Sequence, residues 1–195
     1  MDKEKNQLSM ILRFPSSVIT FKDISLIWRD TRKQAIASSV AYYVKKRELY
    51  PLRRGIYAKD KNYNRFELAT KIYTPAYVSF ETVLAKAGVI FQYYGQIFVA
   101  SYQSREISCD GQKYSFKKIK NSILTNQSGI ENKDGFAIAS PERAFLDVAY
   151  LNTDYHFDNM SPLDWKKVFQ LLPLYENKML EKRVEFYHKA FLETI

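Results

Sequence analysis

Apolar residues recur at helical spacing in three short stretches before residue 46, and the spacing then switches to alternation around a single glycine. Leu8, Ile11, Leu12 and Phe14 mark the first stretch, which Pro15 stops. Thr20, with Asp23 three residues on, has the form of a capping box, and Ile24, Ile27 and Trp28 give the second stretch its apolar face. Thr31 is placed to cap a third helix, from Arg32 to about Lys46, whose core stripe is Ile36, Val40, Tyr43 and Val44. Leu49 to Lys59 reads as two short strands hinged at Gly55. Three helices and then a β-ribbon is the order of a winged helix-turn-helix, and the sequence predicts that fold for residues 1–62.

Charge falls on the same segment. Residues 1–62 hold 14 Lys/Arg against 6 Asp/Glu, whereas residues 63–195 hold 16 against 15. Such an imbalance suits a polyanionic partner, double-stranded promoter DNA above all, although a solvated basic surface would carry the same charges. The face of the third helix opposite its core stripe holds Gln34, Ser38, Ala41, Tyr42 and Lys45, and no acid occurs from Thr31 to Arg47. Small residues there let a backbone approach a groove wall. Gln34 and Tyr42 can meet base edges or sugar, while Arg32, Lys33 and Lys45 can reach phosphates. Arg53 and Arg54 occupy the ribbon tip, suited to a minor groove or flanking phosphates.

From residue 63 the pattern predicts a second domain, 63–195, of mixed α+β type with an antiparallel sheet and C-terminal helices. One helix runs from Asn64 to before Pro75 with Phe66, Ala69, Ile72 and Tyr73 on its apolar face. Ser79 is placed to cap another that Gly88 ends. Strands are expected at Val89–Tyr94, Gln96–Ser101, Arg105–Cys109, Lys113–Lys118 and Phe136–Ala139, with a hairpin at Asp110-Gly111. Ser140-Pro141-Glu142 opens a helix whose buried side is Ala144, Phe145, Val148, Ala149 and Leu151, and further helices span about Pro162–Leu172 and Lys178–Thr194. The start lacks the form of a secretory signal, and no apolar run is long enough to span a bilayer. Cys109 stands alone, so an intrachain disulfide is excluded. A cytoplasmic chain without membrane contact is expected.

Three blocks, taken in order, resemble the AbiEi family of antitoxins from type IV (abortive infection) toxin–antitoxin pairs. They are YYVKKRELYPLRRGIY at Tyr42–Tyr57, YVSFETVLAKAGVI at Tyr77–Ile90, and GFAIASPERAFLDVAYLN at Gly135–Asn152. The resemblance implies a winged helix that represses its own operon. It further implies a C-terminal domain that counteracts a nucleotidyltransferase-type toxin, without requiring a tight complex. It carries over Arg32 to Lys45 and Arg53–Arg54 as the DNA surface. Arg47-Glu48 departs from the pattern, which would place a glycine before the wing strand.

No catalytic residue, metal ligand or cofactor is assigned. His156 and His188 are isolated, and phosphate-binding and nucleophile-elbow motifs are missing. The enzymatic rival is a metal-dependent nuclease, needing an upstream acid such as Asp110 with Glu131-x-Lys133 or Glu176-x-Lys178. Eleven Glu and twenty Lys over this length predict about one such match by chance, so two matches are no surplus. Glu142, Arg143 and Asp147 cluster at helical spacing, which suits an i,i+4 ion pair or a partner contact. An interaction module acting on RNA or protein is the third reading, with Tyr93, Tyr94, Phe98 and Tyr102 as stacking candidates.

Overall fold

A computed structural model describes residues 2–193, with side chains from residue 6 onward. The fold is mixed α+β and divides into two compact units, Met1–Ile72 and Tyr73–Ile195.

The first unit contains α1 (Asp2–Arg13), β1 (Val18–Thr20), α2 (Phe21–Trp28), α3 (Lys33–Lys45), β2 (Tyr50–Arg53), β3 (Ile56–Ala58) and α4 (Arg65–Ile72). The capping box forms as expected. The Thr20 hydroxyl accepts the Asp23 N–H at 3.1 Å, and the Asp23 carboxylate accepts the Thr20 N–H at 2.8 Å. Thr31 does not cap α3. Arg32 holds that position without a side-chain bond into the helix, and the Asp30 carboxylate accepts its N–H at 2.9 Å. Ile11, Ile24, Ile36, Val40, Tyr43 and Leu49 meet in one core with Ile19 of β1. β1 is too short to show alternation in sequence, yet it pairs antiparallel with β3, placing Val18 opposite Ala58, and the sheet order is β1-β3-β2. Gly55 turns the ribbon at φ +73°.

The division falls after α4, not after residue 62 as the sequence suggests. The reason is Glu67, which is buried in the first unit. Its carboxylate accepts the Ser16 hydroxyl at 2.9 Å, the Ser17 N–H at 2.7 Å, the Val18 N–H at 2.9 Å, and the Ser17 hydroxyl. Lys71 adds a bond to the Ser16 hydroxyl at 2.6 Å and one to the Val18 carbonyl. These bonds fix the α1–β1 connection to α4, whose buried residues are Glu67, Leu68 and the expected Ala69, while Phe66, Ile72 and Tyr73 are only half-buried. With α4 included, residues 1–72 hold 16 Lys/Arg against 7 Asp/Glu, and residues 73–195 hold 14 of each.

The second unit runs β4 (Ala76–Val78), α5 (Glu81–Lys86), β5 (Gln96–Ser101), β6 (Arg105–Cys109), β7 (Gln112–Lys118), α6 (Asn121–Leu124), β8 (Ile130–Lys133) and β9 (Phe136–Ala139). After these come α7 (Pro141–Leu151), α8 (Trp165–Leu171), a 3-10 turn (Leu172–Tyr175) and α9 (Lys178–Leu192). Its sheet order is β6-β7-β5-β4-β9-β8. The sheet is mixed where an antiparallel one was expected: β5 runs parallel to β7, and β4 parallel to β9. The Asp110-Gly111 hairpin forms as expected, with positive φ at both positions. Residues 89–94 are not a strand. The Phe91 N–H goes to the Asp158 carboxylate at 2.7 Å and the Val89 carbonyl takes the Asn159 N–H at 3.0 Å, so this backbone bonds to a loop and not to a ladder. Ser79 does not cap α5 either. Phe80 holds that position at φ 55°, and the Ser79 hydroxyl turns to Asp147.

α7 begins as the sequence indicates, with the Ser140 hydroxyl accepting the Arg143 N–H at 3.2 Å and Pro141 in the first turn. It is buried on all sides from Glu142 to Ala149, against α5, α8 and α9, while Leu151 projects to solvent, contrary to expectation. Asp164, not Pro162, opens α8, and Asn177 caps α9. The expected end of that helix at Thr194 lies outside the described residues. Among the described residues no helix is long and apolar enough to cross a membrane.

Candidate nucleic-acid interface

Burial of Ile36, Val40 and Tyr43 fixes which side of α3 faces outward. Lys33, Gln34, Ser38, Tyr42 and Lys45 are all exposed on it, and so is Ala41. The Ser38 hydroxyl donates back to the Gln34 carbonyl at 3.0 Å, which keeps it close to the helix and leaves the Gln34 amide free to extend. Tyr42 stands edge-on to Tyr43 with ring centroids 5.6 Å apart, and Lys46 lies 5.8 Å from the Tyr42 ring. One exposed ring is thus braced from below and crowned by a cation. Arg53 and Arg54 are exposed at the ribbon tip, and the Gly55 carbonyl accepts the Phe21 N–H at 2.8 Å, tying that tip to the start of α2.

Arg32 differs from the other basic candidates. Its guanidinium binds both Asp30 oxygens, Nε at 3.0 Å and a terminal nitrogen at 2.7 Å. The hydrogen bond to Asp30 and then its charge raise the Arg32 pKa. A phosphate would have to compete for this group, so Arg32 is a weaker phosphate ligand than Lys33 or Lys45. Sequence reasoning also passed over Lys46 and Arg47. Arg47 takes φ 59° directly after α3, and its N–H reaches the Val44 carbonyl at 3.0 Å, so the turn closes without the glycine the resemblance leads one to expect. Both side chains are exposed beside Lys45, and the run Lys45-Lys46-Arg47 was the cue available.

The expected i,i+4 ion pair of Arg143 and Asp147 forms in the second unit, and it belongs to a closed interior network. Arg143 and Asp147 are both 0 % exposed, with Nε and Oδ1 3.5 Å apart. Asp147 accepts the Ser79 hydroxyl at 2.7 Å, the Tyr175 hydroxyl at 2.7 Å and the Tyr77 hydroxyl at 3.0 Å. Arg143 donates to the Ser128 and Ile123 carbonyls, each at 2.7 Å, and to the Tyr77 hydroxyl at 3.2 Å. Burial pushes the Asp147 carboxyl up from its ordinary range, against the lowering pull of Arg143 and the three hydroxyls. Ser79 of SFET thus joins the end of β4 to Asp147 of SPERAFLD on α7, whereas Glu81 pairs with Lys117 and the Thr82 hydroxyl accepts the Phe98 N–H at 2.7 Å.

The nuclease constellation does not assemble from the residues proposed for it. Asp110 lies in the β6–β7 hairpin at one edge of the sheet and Glu131 on β8 at the other. Four to five strand spacings of about 4.8 Å separate them, roughly 20 Å or more. Glu176 ends the 3-10 turn and pairs with Lys120 at 2.8 Å. Among the described residues no group of three His, Cys, Asp or Glu side chains is arranged to hold a metal ion. Of the aromatic stacking candidates, Phe98 is buried, while Tyr93 and Tyr102 are exposed.

The chain is similar in fold to a solved mycobacterial protein. That protein is described as the RV2827C protein from Mycobacterium tuberculosis, and the two share 14% identity at a TM-score of 0.53, over 92% of this chain and 73% of that one. At this identity the likeness extends to fold alone. No family model and no curated protein matches the sequence.

Proposed function

We propose that residues 1–72 form a winged helix-turn-helix that binds double-stranded promoter DNA, with α3 entering the major groove and the β2–β3 ribbon resting on adjacent backbone or minor groove. The observation that carries this reading is the acid-free outer face of α3, together with an arginine-tipped ribbon, in the unit that holds all of the excess positive charge. Gln34 and Tyr42 read base edges or sugar, Ser38 gives clearance, and Lys33, Lys45, Arg53 and Arg54 hold phosphates. In the AbiEi-like role that the three sequence blocks support, this binding represses the chain's own operon, and the second unit counteracts a nucleotidyltransferase-like toxin. The chain acts by binding, without catalysis or cofactor, in the cytoplasm.

The test separates base reading from backbone holding. Gln34→Ala lowers affinity for a duplex from the chain's own promoter more than for a random duplex. Arg53→Ala and Arg54→Ala lower both about equally. Equal losses on both duplexes for Gln34→Ala would show that the α3 face does not read sequence.

A further inference from the structure

The second unit carries a surface pocket of about 320 Å³ that DNA binding by the first unit leaves unused. Beside Ile90, Gln92 and the exposed His156, two kinds of group dominate its lining. Phe91, Tyr94 and Tyr155 supply aromatic rings, and Asp154 and Asp158 supply carboxylates. Asp158 is held in place, because one of its oxygens accepts the Phe91 N–H at 2.7 Å and the other stands 3.9 Å from His156. Tyr94 is braced edge-on against Phe98 at 5.3 Å. The Tyr155 hydroxyl is pushed above the ordinary phenol range by burial first, then by the Glu81 charge, by Tyr94 and by Asp158. Glu81 is answered by Lys117 at 2.9 Å, but no lysine or arginine lines the pocket itself. With 14 charges of each sign on residues 73–195, this acidic patch is a local feature and not the character of the unit.

We propose that this pocket receives an arginine side chain of a partner protein. A guanidinium stacks on aromatic faces and offers paired N–H groups to a carboxylate, so it uses both kinds of lining at once. The rim points to a protein as the bearer of that group. Phe91 is 71% and Tyr93 90% exposed, and large aromatic rings facing solvent beside a charged pocket match the Tyr- and Arg-rich centres of protein interfaces. Nucleic acid fits poorly, because the two aspartates repel phosphates.

The experiment records amide chemical shifts of the isotope-labelled full chain during titration with acetyl-Ala-Arg-Ala-amide. The same titration is run with the citrulline tripeptide, with agmatine and with a single-stranded oligouridylate. The arginine peptide produces saturable shifts at Phe91, Tyr94 and Asp158 in the millimolar range. The neutral citrulline peptide binds at least about fivefold more weakly, as does the arginine peptide on Asp154→Asn, an exposed position where the change leaves the fold intact. Agmatine, lacking flanking backbone for the rim, binds more weakly than the arginine peptide. Equal binding of the citrulline peptide, an unchanged Asp154→Asn, or no saturation would overturn the assignment. Tighter binding of agmatine would make this a small-cation site, and oligouridylate shifts at the same amides would make it a nucleic-acid surface; either result overturns the proposal.

Discussion

Arg47 occupies the left-handed position that a helix exit ordinarily gives to glycine. Its backbone costs about 1 kcal/mol there, partly offset by the smaller freedom of arginine in the unfolded chain. Arg47→Gly is therefore expected to stabilise the chain by about 0.5 kcal/mol in urea unfolding. If the side chain holds a phosphate in the proposed complex, the same variant weakens binding to all duplexes alike. A loss of stability would contradict this account of the turn. Arg143 and Asp147 show a different limit of sequence reading. Their spacing was legible as an ion pair, but spacing is the same on an exposed face and a buried one. Partners such as Tyr77 and Tyr175 lie too far along the chain to be inferred. Asp147→Asn leaves Arg143 buried without a counter-charge and should cost about 3–5 kcal/mol. The phenols add a pH signature. Tyr77 and Tyr175 are both raised above the ordinary phenol range, by burial first and then by Asp147. Each must keep its proton in the fold, so its contribution is complete below about pH 10 and is lost as alkalinity rises beyond that. Absorbance of tyrosinate should then show these two ionising only together with loss of circular dichroism; early ionisation without unfolding would contradict the network.

At the scale of elements, the sequence reads best where apolar periodicity is long and caps are explicit. α2 with its capping box, α3 with Ile36, Val40 and Tyr43 buried and Val44 partly so, the Asp110-Gly111 hairpin and the Ser140-Pro141 start of α7 all appear where expected. Among the strands of three or four residues, β2 and β3 were legible through the Gly55 turn and β9 as an apolar run before the Ser140 cap, but β1, β4 and β8 were missed. An apolar run at 89–94 looked like a strand but serves as a loop anchored by Asp158. Parallel pairing of β5 with β7 is set by where the chain crosses, and no local pattern encodes it. α4 carries the clearest consequence. Because Glu67 accepts the N–H groups of Ser17 and Val18, a chain ending at residue 62 takes that acceptor away, whereas one ending at residue 72 keeps it. Residues 1–72 are expected to unfold cooperatively, and residues 1–62 to lose protection of the Val18 amide in hydrogen exchange. Glu67→Ala should cost about 2–3 kcal/mol. Equal protection in both chains would show that α4 is no part of this unit.

For the whole molecule, the decisive property is how charge follows the division of the chain. Moving the boundary from residue 62 to residue 72 leaves the second unit neutral and gives the first unit the full net charge of +9. The candidate DNA surface was legible in outline, since helix spacing located the outer face of α3. It was not legible in detail, because the pairing of Arg32 with Asp30 and the exposure of Lys46 and Arg47 depend on how the chain turns at each end of that helix. Four phosphate-holding cations imply a salt slope of about −3.6 for each bound chain. The most direct measurement is fluorescence anisotropy of a duplex from the chain's own promoter, titrated with residues 1–72, residues 73–195 and the full chain over a range of salt. Residues 1–72 are predicted to bind with that slope and to prefer the promoter over a random duplex, while residues 73–195 leave the anisotropy unchanged. Binding of residues 73–195 as strong as that of residues 1–72, or binding by residues 1–72 that ignores salt, would contradict the account.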